Sequence, residues 1–247
     1  MSKKEKQPKS PLRIFLDKIV FSLYLVALVA AVCFSTFVWF QKYYFVSYWV
    51  NGQSMWPTLN KEAKDAKGEY FNDDPRNKSM NGATDVDFVI GDNHQNIIDK
   101  LVRFDIIICK YSESDSFDKI KRVIALPGET FYIDSTGANN EGNGVLHVLN
   151  NETNEFEVVE QPIEDRYVMV GDYPATYSSP YTLADNEYFV MGDNRAHSSD
   201  SRLNGPVKKD NIEAKAIALV ARCKIVIKGN SGSYQPVDIN YMWPRFF

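Results

Sequence analysis

Ile120-Lys121-Arg122-Val123-Ile124-Ala125-Leu126-Pro127-Gly128-Glu129 is the stretch on which the reading of this chain turns. β-Branched and aliphatic residues stopped by Pro-Gly read as a strand running into a turn. Strand alternation puts Lys121 on the same side as Val123, and the whole run reads as buried, so a lysine stands where its charge is costly. Similar short runs rich in Val, Ile, Phe and Tyr lie on both sides: 47–51, 87–91, 102–111, 130–134, 145–150, 156–160, 166–170, 187–192 and 214–228. Gly, Asn, Asp and Pro punctuate them, and no long amphipathic helix interrupts them. The expected fold class is mainly β, an antiparallel-sheet domain.

One segment departs from this pattern. Ile19 to Phe40 is 22 residues without a charge, followed by the aromatic run Trp39-Phe40-Gln41-Lys42-Tyr43-Tyr44-Phe45. A helix of that length spans roughly 33 Å, the thickness of a bilayer's hydrocarbon core, and is too long for the apolar region of a cleaved leader. Residues 1–18 carry a net charge of +4, leaving −8 for the rest of a chain whose formal charge is −4. The positive-inside rule places that basic tail in the cytoplasm and the body outside the cell membrane. The expected organisation is a basic cytoplasmic tail (1–18), a transmembrane helix (19–40) and an extracytoplasmic domain (45–247). A polar excursion at 60–84 and an insert at about 130–187 interrupt that domain, and 135–144 reads as a hairpin tip.

Composition excludes several classes. A chain that is 44% apolar and 24% charged is globular, and its acidic balance disfavours nucleic-acid binding. Cys33, Cys109 and Cys223 are too few for a disulfide framework and read as buried free thiols; no Cys/His spacing suits zinc. There is no HExxH, P-loop or dinucleotide fingerprint. Gly52-Gln53-Ser54-Met55-Trp56 begins like a nucleophile elbow but lacks its second glycine.

A serine nucleophile needs a base. Among the three histidines, His94 and His147 fall in or beside loops, and only His197 lies in a segment dense with polar residues, 192–202. A lysine can serve instead if burial lowers its pKa by roughly 2 to 3, so that part of it is neutral near pH 7. Lys121 is placed for that.

Four segments in order now matter: Ser54-Met55-Trp56-Pro57-Thr58-Leu59, Phe104 to Ile108, Lys121 to Glu129, and Gly192 to Arg202. They resemble the nucleophile, G-D-I-V-V, K-R-V-x-x-L-P-G-D/E and G-D-N-R-x-x-S-x-D-S-R boxes of the type I signal peptidases, membrane-anchored Ser-Lys endopeptidases. The resemblance implies that Ser54 is the nucleophile and Lys121 the general base, and that Ser198 orients the lysine amine. Asp200 and Arg202 would form an ion pair behind the site, and Arg122, Asp193, Asn194 and Arg195 would shape the same loop. It also implies a signal-peptide substrate of exported pre-proteins, bound as an added strand near 48–53 and 118–121 with small residues at −1 and −3. The implied setting is a lipid bilayer close to the secretion translocon, with no metal or cofactor.

Two departures from the family pattern stand out. Phe104 replaces the glycine usual before Asp105, which implies a different turn, and Gly52 stands where some relatives have a serine that assists the oxyanion. Two rival readings are a catalytically silent anchored binding protein of the same fold and a Ser-Lys self-cleaving repressor. Both Ser54 and Lys121 being present weighs against the first, and the bilayer helix weighs against the second.

Overall fold

The computed structural model describes residues 10–63, 85–134, 144–162, 177–228 and 233–247. The chain divides into a helical unit ending at Tyr44 and a β unit running from Phe45. The helix, α1, covers Pro11–Tyr44, 34 residues. It starts earlier and ends later than the apolar run because Ser10 and Pro11 supply a start: the Arg13 N–H donates to Ser10 Oγ, and proline needs no partner for its nitrogen there. Ser35 and Thr36 turn their hydroxyls onto the carbonyls of Ala31 and Val32, which hides the polar groups of the run. Its large apolar side chains between Leu12 and Trp39 are exposed. Pro11–Trp39 is long and apolar enough to cross a membrane.

The β unit is built on an eight-stranded antiparallel sheet. Its strands are β1 (Phe45–Trp49), β2 (Asp85–Asp92), β3 (Ile106–Cys109), β4 (Lys119–Ala125), β9 (Glu187–Met191), β10 (Val207–Lys208), β11 (Ile212–Lys228) and β12 (Ser233–Phe246). The order is β1-β2-β11-β3-β4-β9-β10, with β12 also on β11. Inserted between β4 and β9 is a four-stranded sheet, β7 (Glu155–Val159), β6 (Val145–Asn150), β5 (Thr130–Asp134) and β8 (Tyr181–Thr182). Long helices are absent from the described β unit; α2 (Gln95–Ile98) and α3 (Ser201–Asn204) are single turns.

β11 shapes the large sheet. Its first residues pair with β3, its later ones with β12, and register shifts occur at 212/214, 216/218 and 219/221. Such bulges bend a strand and increase its twist, and the sheet curls. Three strands separate β1 from β4, which would hold them roughly 19 Å apart in a flat sheet. Curling instead packs Val46 and Tyr48 of β1 and Ile120 of β4 against one core with Val50, Met55, Leu59, Val89, Ile106 and Ile108. A second core, centred on Phe131, Phe189, Met191 and Leu146, joins the inserted sheet to β4 and β9.

Several expectations are adjusted by the structure. Strand 102–111 shortens to Ile106–Cys109, because Val102 to Asp105 form a turn in which the Val102 N–H donates to the Asp105 carboxylate. Phe104 does not force an unusual turn: it takes φ 72°, the left-handed conformation that glycine would adopt without strain. Cys109 is a buried free thiol and Cys223 is also buried, but Cys33 is exposed on α1. Asp134 pairs with Val145, so the strands flanking 135–144 form a hairpin, although 135–143 lie outside the described residues. Also outside them are 64–84 of the polar excursion, the strand expected at 166–170, and residues 1–9 of the basic tail.

Candidate active site

Ser54 sits in the loop after β1. Met55 and Leu59 are fully buried in the core beneath, and a turn from Gln53 O to the Trp56 N–H tightens the loop around the serine. Hydrophobic anchoring on either side of a small polar residue therefore fixes Ser54 over the concave face. From β4, which pairs Lys121 with Ile107, the Lys121 Nζ reaches Ser54 Oγ at 2.9 Å and donates also to the Ile120 carbonyl at 2.8 Å.

Lys121 is 3% exposed. Burial pushes its pKa below the ordinary 10.5, against the opposing pull of the Asp200 and Asp193 carboxylates. A buried ammonium loses hydration and prefers to give up its proton, so the free amine needed to accept one from a hydroxyl becomes accessible. Burial likewise pushes the Cys109 thiol up to about 12, which keeps it protonated and inert beside the lysine.

The segment 192–202 closes over the site from the other side. Asn194 donates its N–H to the Ser54 carbonyl at 3.0 Å and its side-chain amide to the Gln53 carbonyl at 3.2 Å. Gly192 is required by close approach, since a Cβ there would run into the Ser54 carbonyl and Ser198 Oγ. Asp193 takes a two-pronged contact from Arg122, Nε at 2.7 Å and Nη2 at 2.6 Å. Arg122 also donates to Phe104 O and, at 3.4 Å, to Thr58 Oγ1 of the serine loop.

Asp200 and Arg202 form a second two-pronged pair at 2.8 and 2.9 Å. Burial alone would raise the Asp200 pKa, but the Arg202 guanidinium and the Gly192 N–H outweigh it and hold the carboxyl below 3.8. Arg195 donates to the Gly192 carbonyl and is itself held through its own carbonyl by Arg202. Ser198 Oγ is buried beside the Asp200 carboxylate, whose pKa it helps to lower; the Lys121 amine meets Ser54 and Ile120 instead.

The histidines lie elsewhere. His94 caps α2, accepting the Asn96 N–H; His147 stacks on Tyr132 with ring centres 4.4 Å apart; and His197 makes no hydrogen bond with Ser54. Among the described residues no group of three or more His, Cys, Asp or Glu is placed to hold a metal ion.

Sequence reasoning missed Asn60 and Asp87. Asn60 is buried at φ 61° and ties the serine loop to β2 through four hydrogen bonds, two of them with Asp87. Burial raises the Asp87 pKa, although the Asn60 N–H and Arg222 favour its carboxylate. The one sequence signal was an asparagine just after the Ser54 box, a residue type that tolerates the left-handed conformation.

Beside Ser54 run two open strand edges. Among the described residues β1 pairs only with β2, and Lys119 to Lys121 pair only with β3, since β9 begins its pairing at Arg122. Tyr48 and Asp118 border the space between them; burial first, and then the Asp118 and Glu213 charges, push the Tyr48 hydroxyl up to about 12.

A sequence model of the family described as signal peptidase, peptidase S26, matches residues 19–221. A probable signal peptidase I-1 of Synechocystis is 33% identical over 99 residues, 40% of this chain and 40% of that protein, so this match spans well under half of that relative. The signal peptidase I of Aquifex aeolicus is 29% identical over 180 residues, covering 56% of this chain and 70% of that one. A crystal structure of a signal peptidase I from Enterococcus faecalis is 28% identical, with a TM-score of 0.34 over 47% of this chain and 96% of that chain. With more than three quarters of its length inside the family match, the chain belongs to the signal peptidase family, peptidase S26.

Proposed function

We propose that this protein is a signal peptidase I, a serine endopeptidase that removes signal peptides from exported pre-proteins. The contact between Lys121 Nζ and Ser54 Oγ, 2.9 Å long and made by a buried lysine to a half-buried serine, carries this reading. With its pKa lowered, neutral Lys121 takes the Ser54 proton as Oγ attacks the scissile carbonyl. Charge develops on the carbonyl oxygen and is met by main-chain N–H groups, that of Ser54 among them. The Lys121 ammonium then protonates the leaving amine, and the same lysine activates the water that releases the acyl group.

Several contacts support the remaining roles. Asp200 and Arg202 hold the segment from which Gly192 and Asn194 touch the Ser54 loop; Arg122, Asp193 and Arg195 brace the same segment. Ser198, whose hydroxyl lies close to the Ser54 carbonyl, is available to the lysine amine when the proton moves. The substrate enters as an extended strand between the open edges of β1 and β4, its backbone completing their hydrogen bonds. Small side chains at −1 and −3 suit the narrow space bordered by residues 48–53 and 118–121.

The domain reading is the one the sequence gives: a basic cytoplasmic tail (1–18), a bilayer-spanning helix (19–40) and a catalytic domain outside the membrane (45–247), near the translocon. Detergent-solubilised protein incubated with a pre-protein should cut after a small residue, and Ser54→Ala and Lys121→Ala should each abolish the cut while remaining folded. Because the two act as a unit, the double variant should be scarcely worse than either one. Full activity in either single variant would overturn the assignment. Protease added to wall-stripped cells should reach the β unit and spare the tail.

A further inference from the structure

Asn60 holds the nucleophile loop by its backbone. At 1% exposure, its side-chain amide donates to the carbonyls of both Val50 (2.7 Å) and Gly52 (2.8 Å). Its Oδ1 accepts the Asp87 N–H at 2.7 Å, and its own N–H donates to the Asp87 carboxylate at 2.7 Å. Asn60 is thus locked before it touches the loop, and the loop adapts to it.

Two peptide planes are fixed as a result. In a planar trans peptide the N–H points opposite to the preceding carbonyl. The Gly52 carbonyl is drawn inward by Asn60, so the Gln53 N–H points away from that buried side. The Gln53 carbonyl is taken by the Trp56 N–H and the Asn194 amide, which turns the Ser54 N–H likewise. Neither the Gln53 nor the Ser54 N–H has a hydrogen-bond partner among the described residues. Paired backbone donors are the rule in a packed loop, and two successive unpaired ones beside a reactive hydroxyl need an acceptor from outside. Gly52 offers no side-chain donor for that role.

We infer that the Gln53 N–H joins the Ser54 N–H in binding the substrate carbonyl oxygen as negative charge develops on it, and that Asn60 is the positioning residue that aims it. This rests on Ser54 being the nucleophile. The bond changes are those of acyl transfer: Oγ–C forms, the carbonyl π pair moves onto oxygen, and both N–H groups hydrogen-bond that pair.

The test replaces Gln53 by its α-hydroxy analogue in the full-length protein, turning the Gly52–Gln53 amide into an ester that removes the N–H and leaves the Gly52 carbonyl in place as a weaker acceptor for Asn60. Loss of an oxyanion donor should lower kcat by about 10²-fold with KM within twofold. The inhibition constant of a peptide aldehyde, whose adduct oxygen occupies the same place, should rise by a matching factor, while the uncleaved product peptide binds as before. Asn60→Ala should lower kcat in the amide protein and add almost nothing in the ester protein, a non-additivity that a general loss of stability does not produce. Wild-type kcat in the ester, or an unchanged aldehyde constant, would overturn the inference. Should Ser54→Ala, run alongside, retain cleavage, the nucleophile assignment itself fails.

Discussion

The large curled sheet and the small inserted sheet are stabilised by opposite means. Around Ser54 and Lys121 the buried residues include Asn60, Asp87, Lys121, Arg122, Asp193, Asn194, Arg195, Asp200 and Arg202. On β5 to β8 no described charged residue is buried; Phe131 instead meets Tyr177, Tyr181 and Phe189 at ring separations of 4.8–6.2 Å. Aromatic packing stabilises without regard to direction. Buried ion pairs contribute little net stability but fix direction when every member is satisfied. Polar burial in this protein is concentrated where atoms must be aimed.

Lys121→Met breaks the contrast most severely. Cleavage should fall below detection while the protein becomes more stable, because the variant fills the same space without a buried amine. Between the depressed folded pKa of Lys121 and 10.5 the unfolded chain binds more protons than the folded one, so the wild type gains stability as pH rises through that window. The variant should lack this gain, and denaturation curves at pH 7 and pH 10 would show it. In the wild type, kcat/KM should rise with pH along a limb centred below 10.5; a limb that disappears on replacing His197 instead would point to a histidine base.

Asp200→Asn and Phe131→Ala form the next pair. Each should cost about 3 to 5 kcal/mol, the first by leaving the Arg202 charge unpaired, the second by opening a cavity. Only Asp200→Asn should also lower kcat per folded molecule, by tenfold or more; equal kcat losses would mean that the inserted sheet also aims the site. The Asp200 contribution should fade as pH falls through its folded pKa, below 3.8, since a depressed carboxylate stabilises only while ionised.

Gly52→Ser should cost less, about 1 to 3 kcal/mol, and lower kcat. Gly52 stands at φ 132° with open space where a Cβ would go, so backbone conformation rather than crowding opposes the change. A gain in kcat would instead show an added donor at work. Phe104→Gly should change stability by about 1 kcal/mol or less, because relief of φ 72° offsets the packing of its ring on the Phe131 core.

What the sequence could reveal was local. Strand alternation and turn residues were enough to mark β4 and the burial of Lys121. β12 lies beyond the runs read as strands and contains Pro236 and Pro244; both are tolerated because, among the described residues, β12 pairs only with β11. Strands β8 and β10, two residues each, are too short for a periodic signal. Asn60 was illegible because its partners, Val50, Gly52 and Asp87, are unremarkable singly and acquire meaning only once the loop returns on β2. Phe104 broke a residue rule that the backbone nevertheless obeys.

The contacts that assemble the site join residues far apart in the chain: 67 positions for Lys121 and Ser54, 71 for Arg122 and Asp193, and 141 for Asn194 and Gln53. Contacts of such separation form late in folding, after the loop-closure entropy has been met. A ribosome delivers Ser54 first and Arg202 some 148 residues later, which at bacterial elongation rates is a delay of roughly 7 to 30 s. Through that interval the growing chain holds the Ser54 loop without the complete segment 192–202 that ties it down through Asn194.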